Sequence, residues 1–133
     1  MAKSLIYVVN TNLQPLVVGD TIGLGSTVRR FGCNIVQDGN TIILKGTGYY
    51  KIAATFTFAS TAAGTATITM FNDGFAVPGA EVSATTSAVD NSRSMTIEAV
   101  VRVRCDRMDN SLSFVVTGEA GNMSNVAIVV EKV

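Results

Sequence analysis

The sequence predicts an all-β protein, an antiparallel two-sheet sandwich in a single domain. Three observations lead there. The stretch Gly46–Phe58 alternates apolar and other residues with a strict period of two; about eight such runs are separated by turns of Gly, Asn, Asp and Pro; and no stretch keeps the 3.6-residue period of a helix. No fixed-period repeat is present, which argues against a solenoid or a propeller.

The elements follow in chain order. Leu5–Val9 is a short β-rich run interrupted by Asn10-Thr11-Asn12, and Leu13–Val18 continues it past Pro15, where proline points to an edge or a bend. Gly19-Asp20 is a turn signal. Thr21–Phe31 reads as a long connection with at most a short strand, and its Gly23-Leu24-Gly25 lacks the length and the following helix of a phosphate loop. Cys33–Val36 is a strand ended by the Asp38-Gly39-Asn40 turn, from which Thr41–Lys45 returns.

Gly46–Phe58 places Tyr50, Ile52, Ala54, Phe56 and Phe58 on one face and Tyr49, Lys51, Ala53, Thr55 and Thr57 on the other. The first set belongs in a core. The second is only weakly polar, which suits a sheet whose other side is also covered. Gly46 and Gly48 bracket the start of this strand, so Thr41–Lys45 is its expected antiparallel neighbour. Ala59–Gly64 is a turn, and Thr65–Phe71 alternates Ala66, Ile68 and Met70 against threonines and Phe71. Asn72-Asp73-Gly74 is a strong hairpin signal; Phe75-Ala76-Val77 follows, Pro78-Gly79 breaks it, and Glu81–Ala88 reads as an irregular strand or loop before Asp90-Asn91-Ser92. Met95, Ile97, Ala99, Val101, Val103 and Cys105 form another clean alternation, with Val100 as the apolar exception on the reverse face. After a polar turn at Asp106–Asn110, Leu112, Phe114 and Val116 share a face. Gly118–Asn122 turns the chain into Val126–Glu131, where Val126, Ile128 and Val130 share the last. The predicted core is therefore Tyr50, Ile52, Phe56, Phe58, Ile97, Val101, Phe114 and Ile128.

A chain of 133 residues makes one domain, 1–133, large enough to bury a two-layer core without metal or disulfide help. Net charge is zero, charged residues are 15% and hydrophobic ones 47%, which excludes a disordered tail and disfavours nucleic acid as a partner. So little charge also suggests that part of the surface is sequestered in an oligomer. No run reaches the roughly 18 apolar residues of a membrane span, and the first residues lack a signal-peptide pattern, so synthesis in the cytoplasm is expected.

Histidine is absent, which removes the usual triads and general-base schemes and most zinc sites. Asp38, Asp73, Asp90, Asp106 and Asp109 lie in turns, where aspartate caps its own backbone; Asp106, Asp109 and Asn110 are a weak candidate for a hard cation. Glu98 is expected to pair with Arg102 or Arg104. Arg29-Arg30, Arg102, Arg104 and Arg107 are read mainly as solvated or interface arginines, with anion or glycan contact as the lesser alternative. Cys33 and Cys105 are expected as buried free thiols, with a disulfide only if their strands are neighbours in an oxidising setting. Asn122-Met123-Ser124 is a chance glycosylation sequon outside a eukaryotic secretory route.

Gly48, Tyr50 and Ile52, followed by Asn72, Gly74 and Val77, carry a further reading. A strand of the form Gly-x-Tyr-x-Ile and then a hairpin of the form Asn-x-Gly-x-x-Val resembles the C1q/TNF-like jelly-roll family. The resemblance covers the chain from about Cys33 onwards, and it implies a non-enzymatic jelly roll, without cofactor or metal, that forms a tight homotrimer. Family members serve as animal ligands, as tips of bacterial spore filaments and as phage head fibres or decoration proteins. With neither a Gly-X-Y stalk nor a secretion signal, the reading it favours is a structural protein on the surface of a virion or phage-like particle. A receptor- or carbohydrate-binding module, with sites in Pro78–Ser92 and Asp106–Asn110, is the alternative. Expected partners are other copies of the chain and either capsid protein or cell-surface glycan. The trimer also has a physical basis, because Val129 backs Ile128, Phe71 backs Met70 and Val115 backs Phe114, and a sandwich buries only one face of each sheet. Phe71, Phe75, Val129 and Val133 are the interface candidates.

Overall fold

The structure, a computed structural model, describes residues 3–60, 63–86, 92–104 and 109–133. Its strands are β1 (Leu5–Asn10), β2 (Gln14–Leu16), β3 (Ser26–Phe31), β4 (Ile35–Asp38), β5 (Thr41–Lys45), β6 (Gly48–Ser60), β7 (Gly64–Asn72), β8 (Phe75–Thr86), β9 (Ser92–Val103), β10 (Asp109–Val116) and β11 (Gly121–Lys132). They form two antiparallel sheets. The first has the order β3-β1-β11-β6-β9 with β2 also pairing β11, and the second has the order β4-β5-β10-β7-β8. The chain crosses from one layer to the other after β3, β5, β6, β8, β9 and β10, while β1 to β3, β4–β5 and β7–β8 each stay within one sheet.

The core lies between the sheets. Tyr50, Ile52, Phe56, Phe114 and Ile128 have no exposed surface, and Phe58, Ile97 and Val101 are at most 4% exposed. Phe56 on β6 meets Phe114 on β10 with ring centroids 5.4 Å apart and planes tilted by 58°, a contact that ties one sheet to the other. Fully burying a side chain of this size contributes about 1.5–3 kcal/mol. The Tyr50 hydroxyl donates to the Gly46 carbonyl at 2.8 Å, and burial raises its pKa above the ordinary tyrosine value.

Four sequence expectations are corrected. Thr41–Lys45 and Gly46–Phe58 are not paired: β5 lies in the second sheet and β6 in the first. Gly46 (φ 123°) and Gly48 (φ 145°) carry the chain across the sandwich instead of around a hairpin. The segment Thr21–Phe31 is more ordered than a connection. Gln14 Nε2 donates to the Gly23 carbonyl (2.9 Å) while its Oε1 accepts from the Gly23 N–H (2.8 Å), seating Ile22 and Leu24 in the core, and β3 then pairs with β1. All six side chains of β3 are exposed, so no buried face marks it in the sequence. Pro78-Gly79 does not end a strand. β8 runs through it to Thr86, and the four residues between Ala76 and Glu81 bulge opposite Met70. Finally, Cys33 is exposed, because it sits in the turn between β3 and β4 and not in an apolar strand. Cys105 lies outside the described residues.

Candidate interaction surfaces

The outer face of the first sheet is built from every second residue of its strands. Across it, register aligns Tyr7 with Val129 and Val129 with Ala53; one row over, Val9 meets Ala127 and Ala127 meets Thr55. These side chains back the buried Ile6, Val8, Ile128, Ala54 and Phe56, so strand geometry alone points them outward. The centre of the face is small and apolar. Its margins hold Val100, 61% exposed, and Tyr49, 52% exposed, the latter with the Arg102 guanidinium 5.8 Å from its ring centroid.

The outer face of the second sheet differs. Hydroxyls meet across strands at Thr65–Thr85 (3.1 Å), Thr67–Ser83 (3.0 Å) and Thr69–Thr117 (2.9 Å). Ile43, Phe71 and Val115 also point this way, each opposite a Ser or Thr on a neighbouring strand, and Val36 pairs with Ile43.

The four interface candidates divide between surfaces. Val129 stands at the centre of the first sheet's outer face, and Val133 follows β11 with 78% exposure beside Lys51 and Lys132. Phe71 lies on the opposite outer face. Phe75, 75% exposed, stands at the start of β8 and shares a cleft with Val100 of β9.

That cleft, about 350 Å³ in volume, opens where the two edge strands β8 and β9 approach each other. The hairpin beside it is firmly set. Asp73 (φ 52°) and Gly74 (φ 86°) make the two-residue turn; the Asp73 N–H donates to the Ser111 carbonyl and its carboxylate accepts from the Ser111 N–H, both at 2.8 Å. Asp73 thereby ties the hairpin to β10. Arg102, Arg104, Asn72 and Asn110 also line the cleft. Asn110 is only 4% exposed, and the Oδ1 atoms of Asn72 and Asn110 are buried without a hydrogen-bond partner.

The remaining chemical candidates do not assemble. Asn110 turns inward, while Asp106 and the Asp109 side chain, the other members of the cation trio, lie outside the described residues. No described group of three or more His, Cys, Asp or Glu could hold a metal. Glu98 and Arg102 share a face of β9 four residues apart, about 13 Å along the strand, and Glu98 stands across from Ala53 of β6. Arg29 and Arg30 lie on β3, at the far edge of the first sheet from Arg102 on β9, and Arg107 is outside the described residues. The binding loops expected in Pro78–Ser92 and Asp106–Asn110 are described only for residues 78–86, 92, 109 and 110. No described helix is long and apolar enough to cross a membrane.

Sequence reasoning set Ala53, Ala127 and Val100 on reverse faces without naming them as interface candidates, and it missed Tyr7; the weakly polar reverse face of Gly46–Phe58 was the signal. It also read Asn110 as a turn residue. Its parity with Leu112 and Phe114 marks it as inward-facing.

No protein-family model and no curated protein matches this chain in sequence. Solved structures do match in shape. Eiger TNF from S. frugiperda aligns with a TM-score of 0.72 at 8% identity, covering 99% of this chain and 92% of that one. The globular domain of zebrafish complement 1qA protein aligns with a TM-score of 0.68 at 8% identity, covering 96% and 94%. PRD1 vertex protein P5 aligns with a TM-score of 0.64 at 12% identity, covering 100% and 99%. The fold is a C1q/TNF-like jelly roll.

Proposed function

We propose that the protein is a non-enzymatic recognition module that works as a homotrimer and binds a cell-surface receptor or carbohydrate. The observation that carries this reading is the outer face of the first sheet. Tyr7, Val9, Ala53, Ala127 and Val129 form an apolar surface with small residues at its centre, which another copy can approach closely. A contact between this face and a different surface of a neighbouring copy is heterologous and can close into a ring of three. The split of the four interface candidates between surfaces is compatible with that arrangement. Likeness in shape to a TNF protein and to a complement globular domain supports recognition over catalysis. The test is binding of the purified chain to a glycan array and to intact cells. Saturable binding to either supports the module, and none on both counts against it.

A second reading has its own support. Similarity to PRD1 vertex protein P5 along the whole chain favours a structural protein on the surface of a virion or phage-like particle. Binding to assembled capsids but not to cells or sugars would select it.

A further inference from the structure

We propose that the cleft between β8 and β9 binds an acidic saccharide, an inference that rests on the recognition-module reading and names its ligand class. The inward row of β10 runs Phe114, Leu112, Asn110, and that of β7 runs Met70, Asn72; Leu112 pairs with Asn72, so the two asparagines are diagonal neighbours at one end of the inner layer. Leu or Val there would simply extend the apolar row. Instead two amide oxygens are buried without partners, and a buried acceptor left unsatisfied costs about 1–3 kcal/mol. Such a group takes its partner from a bound water or from a ligand in the cleft.

The chemistry of the cleft narrows the ligand. Two carbonyl acceptors call for O–H or N–H donors, which a hydrocarbon or a sulfate ion lacks. A polyamine has donors but would meet the exposed guanidinium of Arg102, and Asp73, the carboxylate among the described lining residues, is already bonded to Ser111. Sugar hydroxyls satisfy the acceptors. Exposed Phe75 and Pro78 offer a flat apolar surface for the C–H face of a pyranose, and Arg102, on the Tyr49 ring, supplies paired donors for a carboxylate. The volume of about 350 Å³ lies at the small end of ligand pockets and suits a short glycan terminus.

Calorimetric titration of the full chain with the methyl glycosides of glucuronic acid and N-acetylneuraminic acid, and with methyl glucoside as the neutral control, tests the assignment. At least one acid should saturate the protein and outcompete the neutral sugar. Asn110→Leu should raise the melting temperature and weaken acid binding about tenfold or more, since it removes both the unsatisfied acceptor and the ligand contact. Arg102→Gln, at an exposed position that folding tolerates, should abolish the preference for acid over neutral sugar and reads the binding independently of stability. Acid binding unchanged in Arg102→Gln places the site elsewhere and overturns this proposal while the recognition module stands. A lower melting temperature in Asn110→Leu makes the asparagine structural and overturns it as well. Failure of both acids to bind overturns the cleft assignment alone if glycans or cells are still bound, and the module with it if neither is.

Discussion

On the outer face of the second sheet, threonine and serine hydroxyls meet in pairs across strands, and Ile43, Phe71 and Val115 each stand opposite one of them. On the outer face of the first sheet, apolar residues meet each other: Tyr7 with Val129, Val129 with Ala53, Val9 with Ala127. Both faces belong to antiparallel sheets over one core. The hydroxyl ladder satisfies its own polar groups and is comfortable against water, whereas the other face presents side chains that gain free energy only when covered. The difference teaches that the two outer faces are built for different surroundings, the first with an apolar centre between Arg29 and Glu98 that favours cover by another copy.

Charge placed on each face breaks the comparison most sharply. Ala53→Asp should abolish the trimer, because a charge left unpaired in a closed interface costs about 3–5 kcal/mol. Thr67→Asp, on the hydroxyl face, should leave the assembly intact. Equal effects on mass in size-exclusion light scattering would erase the distinction between the faces. Phe56→Ala acts on the core beneath both and should destabilise by about 3–5 kcal/mol in denaturant melts at fixed protein concentration. A loss below about 1 kcal/mol would mean that the Phe56–Phe114 contact is not holding the sheets together.

Most of the fold was legible because a strand with one buried face writes a period of two into the sequence. Tyr50 through Phe58 and Val126 through Val130 did so without ambiguity. β3 wrote nothing, since all its side chains face solvent and only its backbone pairing makes it a strand. The β5–β6 crossover was misread as a hairpin because glycines at positive φ serve either geometry, and sequence does not say which sheet receives the next strand. The cleft was hidden for a related reason. Asn72 and Asn110 are turn-type residues, and the parity that turns them inward has meaning only once Leu112 and Met70 are placed.

Smaller effects refine the account. Gly74→Ala forces φ 86° on a residue with a Cβ and should cost about 1 kcal/mol, loosening the hairpin that presents Phe75. Stability should fall as pH rises above about 10, because the buried Tyr50 hydroxyl holds its proton more tightly folded than unfolded, so the unfolded chain releases it first. Tyr50→Phe should remove that part of the alkaline loss in melts recorded between pH 8 and 11. Thr67→Ala removes one rung of the hydroxyl ladder, shared with Ser83, and should cost only about 0.2–1 kcal/mol. A larger loss would give that face a structural weight the comparison denies it.

The central claim is that the first sheet's outer face is a contact surface between copies. Light scattering coupled to size exclusion on the wild-type chain tests it most directly. The account predicts one species at about three times the 13.9 kDa chain mass, with a melting temperature that rises with protein concentration where unfolding is reversible. A well-folded species at the single-chain mass, stable on dilution, would contradict it.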